Sequence, residues 1–439
     1  MFYLIILYLI FYILGINLGY LSNSFDEYRL LEILLALCSC FFLVIKKIKF
    51  NKSTVFILFI LFILFIFRIN FFGIFFIQDI ILWLSIFFIC LALYQPNCLD
   101  NKKENIIAIL ILFSILPCFF IPLSIFNLLK ENTWYDWQLN SGTIRIFDSY
   151  IVPIFWFSLY LYRKNNKIIH NFYYIICFLI GLALFFNGAR SALISLVFPL
   201  LIIFFVLKED KIIIIKTILM LILSFLVYFI VDYTRNFLYN SNAGLGISRF
   251  TTSKRYEIWE FMYQNWKNNP IWGVGGGFLA KEQYMYGHHS HNLFLRLIFE
   301  WGIIGVGIVF FLLYQIYILF KSKADPILKM GVLAILIDAM FSGNFIYPAS
   351  QVICVFFIIV TCSNMKLTEH ERSLVLSKTV KGSLVLSKTV ILCYMGLFTY
   401  LVFNFLWMDI TCMGCSSEVG RAAPFFWDHG SSEHLELNK

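Results

Sequence analysis

Long apolar runs separated by short polar turns fill most of this chain. They predict helices near 1–20, 30–45, 54–68, 74–94, 106–129, 150–162, 168–187, 191–207, 212–231, 291–320, 327–346, 350–363 and 390–408. A bilayer core takes roughly 20 apolar residues per helical span. The pattern therefore predicts an all-α, polytopic membrane bundle of about 12 transmembrane helices. Arg68 and Asp79 interrupt the 54–94 stretch, and the last run is short enough to lie at the interface. One polar, aromatic-rich stretch breaks the rhythm. The expected organisation is nine transmembrane helices with short loops over 1–231, a large outer loop with an amphipathic helix over 232–290, further transmembrane helices over 291–408, and a disordered tail over 409–439.

Composition supports that division. Hydrophobic residues make up 61% of the 439 residues and charged residues only 13%, with a mean hydropathy of +0.84; soluble domains carry about twice that charge. The formal net charge of +9 does not indicate nucleic-acid binding, because the lysines sit in short loops between spans. Lys46, Lys47, Lys49 and Lys52 share one loop, Lys102 and Lys103 a second, Arg163, Lys164 and Lys167 a third, and Lys208 with Lys211 and Lys321 with Lys323 two more. With a cytoplasmic N-terminus all of these fall on one side, as the positive-inside rule requires. The loop 232–290 and the turns at Asn187–Arg190 and Ser342–Asn344 then face outward, to a periplasm. The first apolar run lacks a basic start and a small-residue cleavage site, so it is read as a retained helix. Most cysteines lie in or beside apolar runs, as small hydrophobes. Cys412 and Cys415 form a lone C-x-x-C without a second ligand pair, and Ser373–Val380 recurs at Ser383–Val390 as a short direct repeat; no function is attached to either.

Candidate chemistry concentrates on the outward side. Ser253 is a candidate N-cap for a helix running to Asn268-Asn269-Pro270, on which Tyr256, Trp259, Tyr263 and Trp266 form an aromatic face suited to a membrane surface. The following run through Gly273, Gly275, Gly276 and Gly277 offers either close backbone approach to an anion or a plain connector. Tyr284, Tyr286, His288, His289 and His291 follow, with no carboxylate or cysteine spaced to complete a metal site. Helical spacing puts His291, Leu295, Ile298 and Gly302 on one face, with the imidazole at the outer rim, where it can exchange a proton near neutral pH. Arg145, Arg190 and Arg255 share that side at similar depth, which suggests a diphosphate site because guanidinium forks match phosphate oxygens. Asp338 lies near enough to Ser342-Gly343-Asn344 to join the cavity, and Arg296 and Glu300 are spaced to pair across one helical turn.

Three stretches resemble the bacterial O-antigen ligase and polymerase superfamily of polytopic glycosyltransferases. Asn187-Gly-Ala-Arg-Ser-Ala192 is similar to its arginine turn. Arg255-x-x-x-Trp259 with Asn269-Pro270-Ile-Trp-Gly273-Val-Gly275 is similar to its loop helix and glycine exit, and His291-Asn292-x-x-Leu295 with Glu300-Trp-Gly302 to its His-Asn helix start. The likeness covers 140–310. It implies transfer of a glycan from undecaprenyl diphosphate, at the periplasmic face of the inner membrane, to a sugar hydroxyl, without cofactor or metal. Arg190 and Arg255 would hold the diphosphate and His291 would bind or deprotonate the acceptor; Arg145, Arg249, Trp259, Asn292 and Asp338 are the expected substrate-binding residues. The expected partners are the lipid-linked oligosaccharide donor, a glycan or lipid A-core acceptor, membrane lipid and a chain-length regulator. An excess of Ile, Phe and aromatic residues resembles the polymerases, which sets polymerisation of repeat units ahead of ligation to lipid A-core. A flippase or transporter stands third, since no inverted repeat is visible.

Overall fold

A computed structural model describes residues 1–16, 24–46, 74–93, 101–134, 137, 144–206, 211–240, 245–248, 254–282, 289–364 and 384–411. The expected span at 54–68, the candidate cap Ser253, Arg249, Tyr284, Tyr286, His288, the first repeat copy and the tail from Cys412 lie outside the described residues. The regular elements among those described are all helical. They run α1 (Phe2–Ile13), α2 (Ser24–Ile45), α3 (Ile74–Leu93), α4 (Asn101–Ile115), α5 (Ile121–Glu131), α6 (Ile144–Arg163), α7 (Lys167–Asn187), α8 (Arg190–Val206), α9 (Lys211–Tyr239), α10 (Arg255–Trp266), α11 (Phe278–Lys281), α12 (Leu293–Trp301), α13 (Ile303–Lys321), α14 (Pro326–Ala339), α15 (Pro348–Ser363) and α16 (Leu384–Thr411). A 3-10 turn, Leu116–Phe120, joins α4 to α5, and a second, Gly246–Ser248, follows α9.

Helices α6 and α15 form the centre. Both are apolar all round and buried along most of their length, the pattern of a helix enclosed by others. Helix α14 packs on α6 and α8, α7 on α6 and α9, and α2 and α3 against α15. Among the described residues, five stretches are long and apolar enough to cross a membrane: Glu27–Ile45, Asn101–Glu131, Lys167–Asn187, Lys211–Tyr239 and Ile303–Lys321. The chain is thus a multi-pass membrane protein. Helix α13 is the outermost of these, with only 11% of its apolar window buried, so its sides are left for lipid.

Several expected boundaries move. The helix expected to end near 231 continues to Tyr239, where Tyr239 donates to the Leu129 carbonyl (3.0 Å) and Arg235 to Asn132 (2.8 Å). The expected run at 327–346 is helical only to Ala339. The span expected at 291–320 is two helices, α12 and α13, broken at Gly302 with φ +60° and ψ −135°. Periodicity misses this break because apolar residues continue through it. The glycine ends one helix and starts the next, and does not serve as a packing notch within one.

Two buried arginines tie the bundle together. Arg29 donates to Glu32 (2.6 Å), to Gln351 of α15 (3.1 Å) and to the Ile346 carbonyl in the α14–α15 turn. Arg296 bonds Glu300 (3.0 Å), as the spacing predicts, and also Asp79 of α3, which in turn accepts from Trp301 Nε1 (2.8 Å). Removing one partner from a buried ion cluster leaves an uncompensated charge and costs about 3–5 kcal/mol. Arg296→Leu is expected to abolish recovery of folded protein in detergent, or to lower its melting temperature sharply. The triple change Asp79→Leu, Arg296→Met, Glu300→Leu should recover most of the loss.

Candidate active site

Five helix ends converge at one end of the bundle. Helices α6, α8 and α15 begin there; α7 and α14 end there. Between them lies a cavity of about 210 Å³ whose lining includes Arg190, Arg255, His291, Asp338, Asp148 and Tyr347. The opposite ends of the same helices carry Arg163 and Lys167, and Arg163 pairs there with Asp325 (3.1 Å). The cavity is therefore at the far end of the bundle from the cationic turns.

The turn that presents Arg190 is built on glycine. Gly188 sits at φ +70°, a conformation L side chains avoid, and caps α7 through N–H bonds to Phe185 (3.2 Å) while Ala189 N–H reaches Leu184 (3.0 Å). A Cβ on Gly188 would lie 2.6 Å from the Gly246 carbonyl oxygen. Arg190 then opens α8, and its guanidinium donates to the Ile247 carbonyl (3.2 Å). Asn187, at the end of α7, donates to Asp148 (2.7 Å). Asp338, 1% exposed near the end of α14, accepts from Ser342 (2.7 Å), with Ser191 and Arg255 as its other polar neighbours.

Arg255 begins α10. Within the protein this helix packs by aliphatic side chains. Its buried residues are Ile258 and Met262, one turn apart, and they build a small separate core with Phe278, Leu279 and Phe299. Tyr256 is 73% exposed, while Trp266 packs on Phe299 (5.8 Å between ring centres). Burial of aliphatic side chains decides the orientation, and the tryptophans flank that core. Glu257 in the first turn is held below the usual carboxylate range, first by a backbone hydrogen bond at the helix start and then by Lys254. The glycine run also has a structural use. Val274 N–H bonds the Phe299 carbonyl (2.9 Å), Gly275 N–H the Glu300 carbonyl (3.0 Å) and Ile303 N–H the Ile271 carbonyl (3.0 Å). A Cβ on Gly273 would fall 2.4 Å from the Glu300 oxygen, and one on Gly276 would meet Asp79 at 2.6 Å. The glycines clamp the outer segment against the α12–α13 break.

His291 is not on α12. Asn292 is the N-cap, accepting from Leu295 N–H (2.9 Å), and His291 precedes it at φ +51°. Its ring centre lies 3.8 Å from that of His289. Trp259 donates from Nε1 to the Ser290 carbonyl (2.7 Å). Trp259 and Asn292 thus hold the backbone on either side of His291, and neither lines the cavity. Arg145 falls in the first turn of α6, one turn before the lining residues Asp148 and Ser149; its side chain lies outside the described residues, as does Arg249. Sequence reasoning did not single out Tyr347, Ser149 or Gly246. Their one visible sign was adjacency to polar turns.

Residues 175–312 match the family described as O-antigen ligase. No curated protein and no solved structure matches the chain significantly. The match covers 138 of the 439 residues and supports a likeness to the O-antigen ligase and polymerase superfamily of glycosyltransferase-like membrane enzymes. It contains Arg190, Arg255 and His291, whereas Asp148, Asp338 and Tyr347 lie outside it. Since the turn before Arg190 depends on Gly188, Gly188→Ala is expected to cost at least ~1–2 kcal/mol from its backbone conformation alone. A fall in melting temperature together with loss of activity is the expected outcome, and Gly188→Asn should be milder because asparagine tolerates that conformation better.

Proposed function

We propose that this protein is a metal-independent glycosyltransferase of the bacterial inner membrane that polymerises surface-polysaccharide repeat units from an undecaprenyl-diphosphate-linked donor. The observation that carries this reading is the convergence of Arg190, Arg255 and His291, from three separate segments, on one cavity at the end of the bundle away from the cationic turns. By the positive-inside rule that end faces the periplasm.

In the reaction, a sugar hydroxyl of the acceptor attacks the anomeric carbon of the donor glycan. The bond from that carbon to the diphosphate oxygen breaks, and its electron pair leaves with undecaprenyl diphosphate. His291 takes the hydroxyl proton as the new glycosidic bond forms, which requires a neutral imidazole within hydrogen-bond reach. Arg190 and Arg255 receive the charge that grows on the diphosphate, a task suited to planar, permanently charged groups in a site partly closed to water. Helices α8 and α15 both begin beside the cavity, and the positive end of a helix dipole favours an anion. Asp338 neighbours Arg255, Trp259 and Asn292 keep His291 in place, and a donor-binding role for Arg145 and Arg249 rests on the sequence alone.

The acceptor is the growing chain or next repeat unit in this reading. Ligation to lipid A-core uses the same chemistry with a different acceptor, and it is the alternative within the same superfamily. Arg255→Ala or His291→Ala is expected to lower transfer by at least about 100-fold and to abolish long-chain polysaccharide on gels, with membrane insertion intact. Normal ladders in both variants would refute the site. In a strain lacking the gene, single-repeat lipopolysaccharide marks a polymerase. Unsubstituted core with accumulated lipid-linked polymer marks a ligase.

A further inference from the structure

Beside His291 the cavity wall holds a buried pair that this chemistry does not yet use. His289 and Tyr347 are 5% and 7% exposed, and His289 Nε2 lies 3.3 Å from the Tyr347 hydroxyl. The backbone N–H of His291 donates to His289 Nδ1 (3.3 Å). A ring nitrogen that accepts carries no proton, so neutral His289 carries its hydrogen on Nε2 and donates it to the Tyr347 oxygen. The hydroxyl's own proton is then directed away from His289, and Tyr347 lines the cavity with His291.

The surroundings hold this arrangement in place. Gly343 leaves the room it needs, since a Cβ there would stand 2.8 Å from Tyr347 Cε2 and 3.1 Å from His289 Cε1. The Phe25 ring meets Tyr347 edge-on at 6.4 Å. Tyr347 N–H bonds the Gly343 carbonyl (3.1 Å), and Arg29 grips the neighbouring Ile346 carbonyl. A ring so confined on both faces has little rotamer freedom to lose when a substrate arrives.

We propose that Tyr347 contacts the substrate, donating a hydrogen bond from its hydroxyl to the glycan beside His291, and that His289 is its positioning residue. This rests on the transferase reading above, but adds a group outside the region matched to the family. Held by the same imidazole that fixes the His291 backbone, the hydroxyl keeps the reacting sugar aligned with the base. No proton is transferred from it.

The test uses the full-length protein in lipid nanodiscs and, as probe, the lipid-linked oligosaccharide extracted from the strain lacking the gene. Tyr347→Phe keeps the ring and removes only the donor. Turnover is expected to fall about 100-fold with an unchanged melting temperature. His289→Phe should cost at least as much alone, since it also removes the acceptor of the His291 N–H, and the double change should cost less than the product of the two losses. His289→Gln, whose amide can both accept and donate, should restore most activity. Full turnover in Tyr347→Phe, or a loss that tracks a lowered melting temperature, would overturn the assignment. Arg255→Ala run in parallel separates the two levels. If it is inactive while Tyr347→Phe is active, only the tyrosine assignment fails; if it is fully active, the transferase site itself is wrong.

Discussion

The cavity depends on charge buried beneath its walls. Its floor is made of helix ends, but its sides are loops: the α14–α15 turn on one side and the outer segment with the start of α12 on the other. Loops lack the internal hydrogen bonds that let a helix sit in an apolar environment. Arg29 supplies donors to the first side, reaching the Ile346 carbonyl and Gln351 from α2. Arg296 performs the corresponding task for the second, joining α12 to Asp79 on α3. Each ion costs several kcal/mol to remove from water, so neither is an efficient source of net stability. What both provide is a fixed register between a loop and the bundle, which hydrophobic contact, being non-directional, does not specify.

The same logic explains why the outer segment folds as a unit. Ile258, Met262, Phe278, Leu279 and Phe299 form a core of their own, apart from the main one. It brings α10, and with it Arg255, onto α12, whose N-cap follows His291. The glycine-mediated backbone bonds from Val274 and Gly275 to Phe299 and Glu300 fix that unit to the break at Gly302. Arg255 therefore reaches the cavity from a helix packed on α12, whose N-cap adjoins His291, whereas Arg190 arrives at the start of α8.

What was legible in the sequence follows from locality. The apolar runs are local signals and they locate most of the helices. The turn before α8 is local too: Asn-Gly-Ala-Arg places a glycine where a left-handed residue must end one helix and an arginine at the start of the next. The residues His291, Arg255 and Asp338 could be singled out because polar side chains at a membrane boundary are conspicuous. Their exact surroundings could not. The partners of Arg296 and Arg29 lie 217 and 317 residues away along the chain, beyond any periodicity. The break at Gly302 is hidden by continuous hydrophobicity, and the sequence leaves the glycine run open between anion approach and connector because a glycine allows close approach to an anion or to another stretch of backbone alike. Tyr347 carried no signal beyond its place beside a polar turn, since one tyrosine before a proline in an apolar chain is indistinguishable from packing.

The charge of the cavity completes the picture. Two guanidinium groups face it, and so do two carboxylates, Asp148 and Asp338. Asn187 donates to the first and Ser342 to the second, so each has a hydrogen-bond partner at an interface where a lone polar group would be costly. Without its ligand, a site lined by two arginines alone would hold uncompensated positive charge in a poorly solvated space. Each carboxylate that is ionised reduces that penalty in the resting protein. The two come from different helices, α6 and α14, which pack on one another, so the helix packing that forms the bundle's centre also places both kinds of group around one cavity.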